Sequence, residues 1–397
     1  MPWMTDLFYD AALNASPLPF QNRTLSQITL PGTHDSGCYR DQRISNVYSA
    51  TQTQDIFQQL AGGVRYFDIR PCAKGAEFWT YHGAFYWGGE LTGADGILQQ
   101  IRDYFDSLAP TDRELVILNV SHFYKFTNLL HANLVQAIQA ALGPYLLNYT
   151  QANINLFNTP YWQLLSNAAV GGGLPLAAAG TRSRVVVLYD GALDTPQEPY
   201  VQTLPFIPPT AAAPGVNGFF VLWPKYPLAP VLAANQIELF DQYSNLGRVD
   251  DGYVLSGIRN DQLNKLRNRP AFAYTTQPFN PGNWTPNAVG GVPGTLHLLS
   301  WTLTPQFSLT LTGTWDPLKA AQDVANPVLL DLFCGPNRGW AGVCYNPAAD
   351  PKINIIYVDD YGSTKHQHAG SPWDGMAIPV AIAARMNVGP VGERNTW

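Results

Sequence analysis

The feature that most constrains this chain is a series of short runs, several of them nearly continuous in apolar residues, each closed by turn residues. They are SQITLPG, VRYFDIR, FWTYHGAF, ELVILNV, SRVVVLYD, GFFVLW, LHLLSWTL and INIIYVDD. Their content of Val, Ile, Tyr and Phe predicts strands. The scarcity of polar alternation in several of them is what strands covered on both faces of a parallel sheet require. Helical patterns lie between the runs. In DGILQQIRDYFDSL, Ile97, Ile101, Tyr104, Phe105 and Leu108 fall on one face, with Asp95 placed to cap the first turn. In FTNLLHANLVQAIQAAL, Leu130, Leu134, Ile138 and Leu142 do the same, with His131 beside the stripe. LKAAQDVANPVLLDLF and AIPVAIAARM also read as helices, Pro327 ending or kinking the first. Strands alternating with helices or long loops predict an α/β fold, a (β/α)8 barrel of TIM type. It is irregular, because residues 147–180 and 191–218 are long and poorly periodic. Residues 1–397 are expected to form one domain, without internal repeats.

A barrel of this size is compatible with a composition that is 46% hydrophobic, with 18 Phe, 20 Tyr and 11 Trp. The net charge of −6 and the lack of a Lys/Arg-rich run argue against a nucleic-acid partner, which needs a concentrated positive face. Cys38, Cys72, Cys334 and Cys344 form no C-x-x-C pair, so zinc or thioredoxin-like chemistry is not expected. Cys334 with Cys344, and Cys38 with Cys72, are the pairings open to a disulfide. The opening residues MPWMTDLFYD carry Asp6 and Asp10 and no basic stretch, so they do not read as a signal peptide. Export, with a leader already removed, is favoured over a cytoplasmic location by the Gly/Pro-rich, charge-poor composition. No unbroken apolar run is long enough to span a bilayer. Sequons at Asn14, Asn22, Asn119, Asn148 and Asn283 are about what chance gives in an Asn- and Thr-rich chain.

In a barrel of this kind chemistry gathers where strands end, and the polar residues at the run ends are few. The first run ends at His34 and Asp35. The second alternates so that Tyr66, Asp68 and Arg70 share a face. An acid and a base two apart on a buried strand need partners, and a structural ion pair is the plain alternative to catalysis. FWTYHGAF is expected to be the next barrel strand, carrying Trp79, Tyr81 and His82. Two imidazoles on adjacent strands, with carboxylate and guanidinium between them, suit phosphodiester cleavage: one takes a proton, the other gives one, and the Arg neutralises the anion. The last run ends in Asp359 and Asp360. In a closed barrel it adjoins the first, so Asp359 is placed to bond His34 and Asp360 to face solvent. Asn119 and Ser121 share a face of ELVILNVS, with His122 opposite, expected to pack or to hydrogen-bond.

The motifs ITLPGTHDSG, GVRYFDIR, YHGAF, ELVILNVSHFY, RVVVLYD and INIIYVDDY, taken in order, resemble the phosphatidylinositol-specific phospholipase C X domain family over about residues 25–361. The nearest likeness is to small X-domain-containing proteins and to bacterial enzymes without accessory domains. The resemblance implies intramolecular attack on a phosphodiester. His34 is then the general base acting on the inositol 2-hydroxyl, and His82 the general acid for the departing diacylglycerol. Asp359 orients His34, Asp35 partners His82, and Asp68 belongs with them. Arg70 stands where calcium-dependent relatives place a metal-ligating carboxylate, which implies no metal and no cofactor. Ser121 falls where bacterial relatives carry a Lys and calcium-dependent ones a Glu. Asp190, Trp223, Tyr81 and Ser121 are the candidates for holding the headgroup. The expected partners are a phospholipid headgroup and, peripherally, a membrane surface touched by Phe85, Tyr86 and Trp87; the chain is expected to be a monomer. Two other readings stay open: a barrel that binds an anionic headgroup without turning it over, and a calcium- or magnesium-assisted phosphodiesterase with Asp35 and Asp68 as ligands.

Overall fold

The computed structural model describes residues 2–15, 19–39, 49–82, 87–147, 156, 159–166, 182–189, 219–223, 237–240, 253–268, 294–303, 316–333, 344–346, 350–367 and 371–388. Eight parallel strands close into a barrel: β1 (Leu30–Thr33), β2 (Tyr66–Ile69), β6 (Leu115–Val120), β7 (Arg184–Tyr189), β8 (Phe219–Trp223), β9 (Ile237–Phe240), β10 (Gly294–Trp301) and β11 (Ile355–Val358). The ring closes where β1 pairs with both β11 and β2, Gly32 lying opposite Tyr357 on one side and Tyr66 on the other.

The strands form where both faces find apolar cover. The residues of β6 and β7 are buried throughout, and helices such as Ile97–Ser107, Asn128–Leu142 and Ile378–Val388 lie among the strands in the chain. Gly32 faces the barrel interior at a crowded level. A Cβ there would lie 2.8 Å from Ile355 Cγ2 and 2.9 Å from Tyr66 Cδ1, so the glycine lets the rings of Tyr66 and Tyr357 approach to 6.2 Å beside it.

At the opposite end from the strand termini that carry the site, Arg65 and Glu114 form an ion pair of 2.6 Å with no solvent exposure. Arg65 also donates to the carbonyls of Leu60 and Val64 and to Tyr104, while Glu114 accepts from the backbone and hydroxyl of Thr5. Every arm of this buried pair is bonded, which is the condition under which such charges are tolerated. It fastens the N-terminal helix Trp3–Tyr9 to the barrel floor.

FWTYHGAF is not a barrel strand. It supplies β4 (Glu77–Tyr81) of a separate antiparallel sheet with β3 (Pro71–Lys74) and β5 (Trp87–Glu90). Its alternation explains why: Phe78 and Thr80 are buried while Glu77, Trp79 and Tyr81 are not, the pattern of a sheet with one wet face. The strand that completes the ring instead is β9, with only four residues, one of them Glu238. Asp95 does not cap its helix, which starts at Ile97 behind Gly96 with no side-chain cap bond. Pro327 is accommodated by a π turn over Ala321–Ala325; widening the preceding turn relieves the clash that a proline makes with the carbonyl four residues back. Cys38 and Cys72 are free thiols, so they do not bridge; Cys334 lies outside the described residues. Among the described residues no helix is long and apolar enough to cross a membrane.

Candidate active site

The loop after β1 begins with His34 continuing the inward row of Gly32. The next residue should turn outward, but Asp35 has φ of 40°. That left-handed backbone, which Asp tolerates better than most residues, brings its carboxylate back beside His34, with Oδ2 at 3.3 Å from His34 Nε2. The same device ends β11. Asp359 faces inward with Oδ1 2.7 Å from His34 Nδ1, and Asp360 again has φ of 40°. Asp360 is therefore not a solvent residue: it is buried, and its carboxylate accepts from Thr53 and from Gln322. Asn326, delivered by the π turn, donates to the carbonyls of Asp359 and Asp360 and fixes this segment.

Asp68 lies in β2 and Arg70 directly follows its last residue. Arg70 Nε is 2.6 Å from Asp35 Oδ1, and another guanidinium nitrogen is 3.0 Å from Asp68 Oδ2. Asp68 Oδ2 also accepts from the Asp35 backbone at 3.1 Å and from the Tyr357 hydroxyl.

His82 follows β4, and the hairpin carrying it is docked by glycines. Thr80 Oγ1 donates to the Gly37 carbonyl at 2.9 Å, and a Cβ on Gly37 would lie 2.5 Å from Thr80 Cγ2. A Cβ on Gly88 would press equally hard on Thr80 Oγ1. This close approach sets His82 Nε2 3.4 Å from Asp35 Oδ2 and its ring 5.8 Å from that of His34, at 82°. Asp35 thus lies between two imidazoles and a guanidinium.

Electrostatics follow from these distances. Burial works against a charge on His34, but Asp35 and then Asp359, which also hydrogen-bonds it, outweigh burial and push its pKa up to about 9. Burial raises the Asp68 carboxyl, yet Arg70, with His122, His34 and the Tyr357 hydroxyl, pulls it down to about 2. Burial leaves Asp359 raised. Oxygens and a nitrogen of His34, Asp35 and Asp68 lie within 4.8 Å of one another, close enough to be considered for a metal. The donor set fits one poorly, because both carboxylates already face the Arg70 guanidinium, and a hard cation wants several uncommitted oxygens.

The structure therefore brings together His34, Asp35, Asp68, Arg70, His82 and Asp359. It places Ser121 close to this end of β6, buried and bonded to His122 Nδ1 at 2.9 Å. His122 itself is exposed, with φ of 56°. Tyr81 turns to the rim, its hydroxyl donating to the His122 carbonyl and its ring 5.3 Å from that of Tyr124. Asp190, Phe85 and Tyr86 lie outside the described residues, as do the side chains of Trp87 and Trp223. Two site residues were not singled out from the sequence. Tyr357 sits in an apolar run, and only its place two residues before Asp359 signals that it faces inward. Gln52, whose amide donates to the carbonyls of His34 and Val358, has no local signal.

A closed parallel barrel thus carries this cluster at the ends of its strands. No protein-family model matches the chain. It is similar to the PI-PLC X domain-containing protein 3 of Danio rerio, 29% identical over 168 residues, 35% of this chain and 50% of that protein. It is 31% identical over 155 residues to the PI-PLC X domain-containing protein 2 of Homo sapiens, 32% of this chain and 48% of that protein. The 1-phosphatidylinositol phosphodiesterase of Listeria monocytogenes matches at 32% over 108 residues, 26% of this chain and 31% of that one. These matches span about half, or less, of the relatives' own length. Among solved structures, a variant phosphatidylinositol-specific phospholipase C from Staphylococcus aureus shares the fold with a TM-score of 0.50 at 16% identity, covering 96% of each chain. The resemblance read from the motifs, and the TIM-type barrel it implied, are thus upheld.

Proposed function

We propose that this chain is a phospholipase C-type phosphodiesterase that cleaves a phosphatidylinositol-like or glycosyl-phosphatidylinositol phosphodiester by intramolecular attack. The observation that carries the reading is the pair of imidazoles 5.8 Å apart with the Asp35 carboxylate within 3.4 Å of both. A barrel that only bound an anion would have no use for a divided acid and base.

In this reading His34 Nε2 removes the proton of a hydroxyl adjacent to the phosphodiester, while Asp359 holds Nδ1 and so fixes the tautomer. The freed oxygen bonds to phosphorus, and the bond from phosphorus to the diacylglycerol oxygen breaks. His82 supplies the proton that this leaving oxygen needs, so a cyclic phosphate and diacylglycerol result. Holding nucleophile and phosphorus in one molecule replaces a bimolecular encounter. The Arg70 guanidinium, fixed by Asp35 and Asp68, stabilises charge on the pentacoordinate phosphorane, taking the place of an ion, so no metal is required. The substrate, being a lipid, is met at a membrane surface.

The test is incubation with inositol lipids, glycosylated inositol lipids and water-soluble analogues in excess chelator, followed by phosphorus NMR. A cyclic phosphate signal is expected, absent with His34→Ala. No turnover of any of them by folded protein would leave the headgroup-binding alternative.

A further inference from the structure

We infer that Gln52 is a positioning residue: lodged between the ends of β1 and β11, its side-chain amide stands in for the ladder rung those strands lack beyond Val358 and so keeps the Asp359 carboxylate on Nδ1 of His34. This deepens the proposed function and rests on it for the identity of the reaction, whereas the hold on the two residues is independent of what the site does.

His34 and Asp359 are the first residues past the ladder. Strands β1 and β11 run in register from Leu30 opposite Ile355 to Thr33 opposite Val358, and the His34 N–H then donates to the Val358 carbonyl at 3.0 Å. Immediately beyond, Asp35 and Asp360 both take φ of 40°, which ends the regular pairing. The Asp360 N–H donates to the Thr51 carbonyl at 2.7 Å, and the Asp35 carbonyl accepts from the Thr51 hydroxyl at 2.9 Å. Thr51 and Gln52 are thus inserted where the strand ends part.

Gln52 grips both sides of this junction. Its Nε2 donates to the His34 carbonyl at 3.1 Å and to the Val358 carbonyl at 3.2 Å, while its Oε1 accepts from the Tyr361 N–H at 3.3 Å. Asp359 is therefore bracketed: the residue before it and the second residue after it are bonded to one amide, which also holds His34. Both N–H donors and the carbonyl of the side chain are committed, at a position with no solvent exposure. A carboxylate there would set oxygen against two carbonyls, and an aliphatic chain would withdraw a donor from a buried carbonyl. Asn326 bonds the carbonyls of Asp359 and Asp360 but none of β1, so it fixes Asp359 without fixing its distance to His34. That distance, 2.7 Å, is the length of a charge-assisted bond, which tolerates little displacement of either partner. Asp35, Asp68, Arg70, His82 and Tyr357 also face His34, but Asp359 is the group bonded to Nδ1.

The experiment is a double-mutant cycle between positions 52 and 359, read in turnover of an inositol phosphodiester with a chromogenic leaving group. Gln52→Met should lower kcat about tenfold with KM changed less than about twofold, the split expected when a catalytic group is misplaced and binding is not. In an Asp359→Asn background the same substitution should lower kcat less than about twofold, because residues acting through one contact are not additive. A role confined to stability would give the same fall in both backgrounds. Gln52→Asn, with its amide on a stem one methylene shorter, should retain part of the rate, and it replaces Gln52→Met in the cycle should that variant fail to fold. Proton NMR supplies a second readout: the downfield resonance of the Nδ1 proton of His34, present in wild type, should vanish in Gln52→Met as in Asp359→Asn. Additive losses in kcat, or a resonance unchanged in Gln52→Met, overturn the inference. If wild type turns over nothing, the proposed reaction fails and the resonance decides the inference alone. Its loss from a folded position-52 variant then supports it; its persistence there, or its absence from wild type, overturns it.

Discussion

Asp359 Oδ1 lies 2.7 Å from Nδ1 of His34 across 325 residues of sequence, a contact made only because β11 closes the barrel against β1. The carboxylate both orients the ring and raises its pKa. Asp359→Asn should lower the pKa of His34 and shift the alkaline-rising limb of kcat/KM, governed in wild type by a group near 9, toward lower pH. The maximal rate should fall about tenfold to a hundredfold as the tautomer is lost. A pH–rate profile of the two proteins checks this, and an unmoved limb would remove His34 as the base.

The same elevated pKa links protonation to folding. The folded value, about 9, lies above the ordinary 6.5. Stability from the charged imidazole is therefore complete below about pH 6.5 and is lost as pH rises through 9. Denaturant unfolding of wild type and His34→Gln at pH 6 and pH 9.5 should show the wild-type advantage shrinking at the higher pH. Equal differences at both values would count against the assignment.

Gly37 should be intolerant of a side chain. Its Cβ would meet Thr80 Cγ2 at 2.5 Å and Ile97 Cδ1 at 2.8 Å, pushing the hairpin that carries His82. Gly37→Ala is expected to cost about 1–3 kcal/mol, as overpacking does, and to lower kcat tenfold or more. Adding Thr80→Ala should recover much of the rate, which kinetics on the double variant can read.

Arg70→Lys keeps the charge but cannot reach Asp35 and Asp68 with one planar fork. A fall of roughly a hundredfold in kcat is expected, on the scale of losing one oxyanion donor. Rates of wild type should be unchanged in excess chelator; a loss restored by calcium would reverse the role given to Arg70.

Far from the chemistry, Glu114→Gln strands Arg65 without its partner in a fully buried place. A loss of about 3–5 kcal/mol is expected, seen in denaturant unfolding, with kcat of the folded fraction close to wild type.

Much of this was legible in the sequence because parallel barrel strands need cover on both faces, which writes them as apolar runs. Where that signal weakens, the reading fails for identifiable reasons. β9 has four residues and a Glu, too little to stand out. FWTYHGAF reads as a barrel strand by its aromatic content, although Phe78 and Thr80, buried in alternation with Trp79 and Tyr81, carry the period of a half-exposed sheet. Counting the pleat through Asp359 places Asp360 in solvent, but the positive φ of Asp360 itself ends the pleat there. The charged cluster was easier, since charges at the ends of apolar strands have few places to go.

One arrangement has a wider consequence. The hairpin with His82 contributes no rung to the ring of eight strands; it is an appended arm, held by Thr80 on the Gly37 carbonyl, by Tyr81 on the His122 carbonyl and by Phe78 stacked on Phe126. His82 therefore depends on packing that the ring does not share, and a change confined to this arm would part the two imidazoles while leaving every barrel pairing in place.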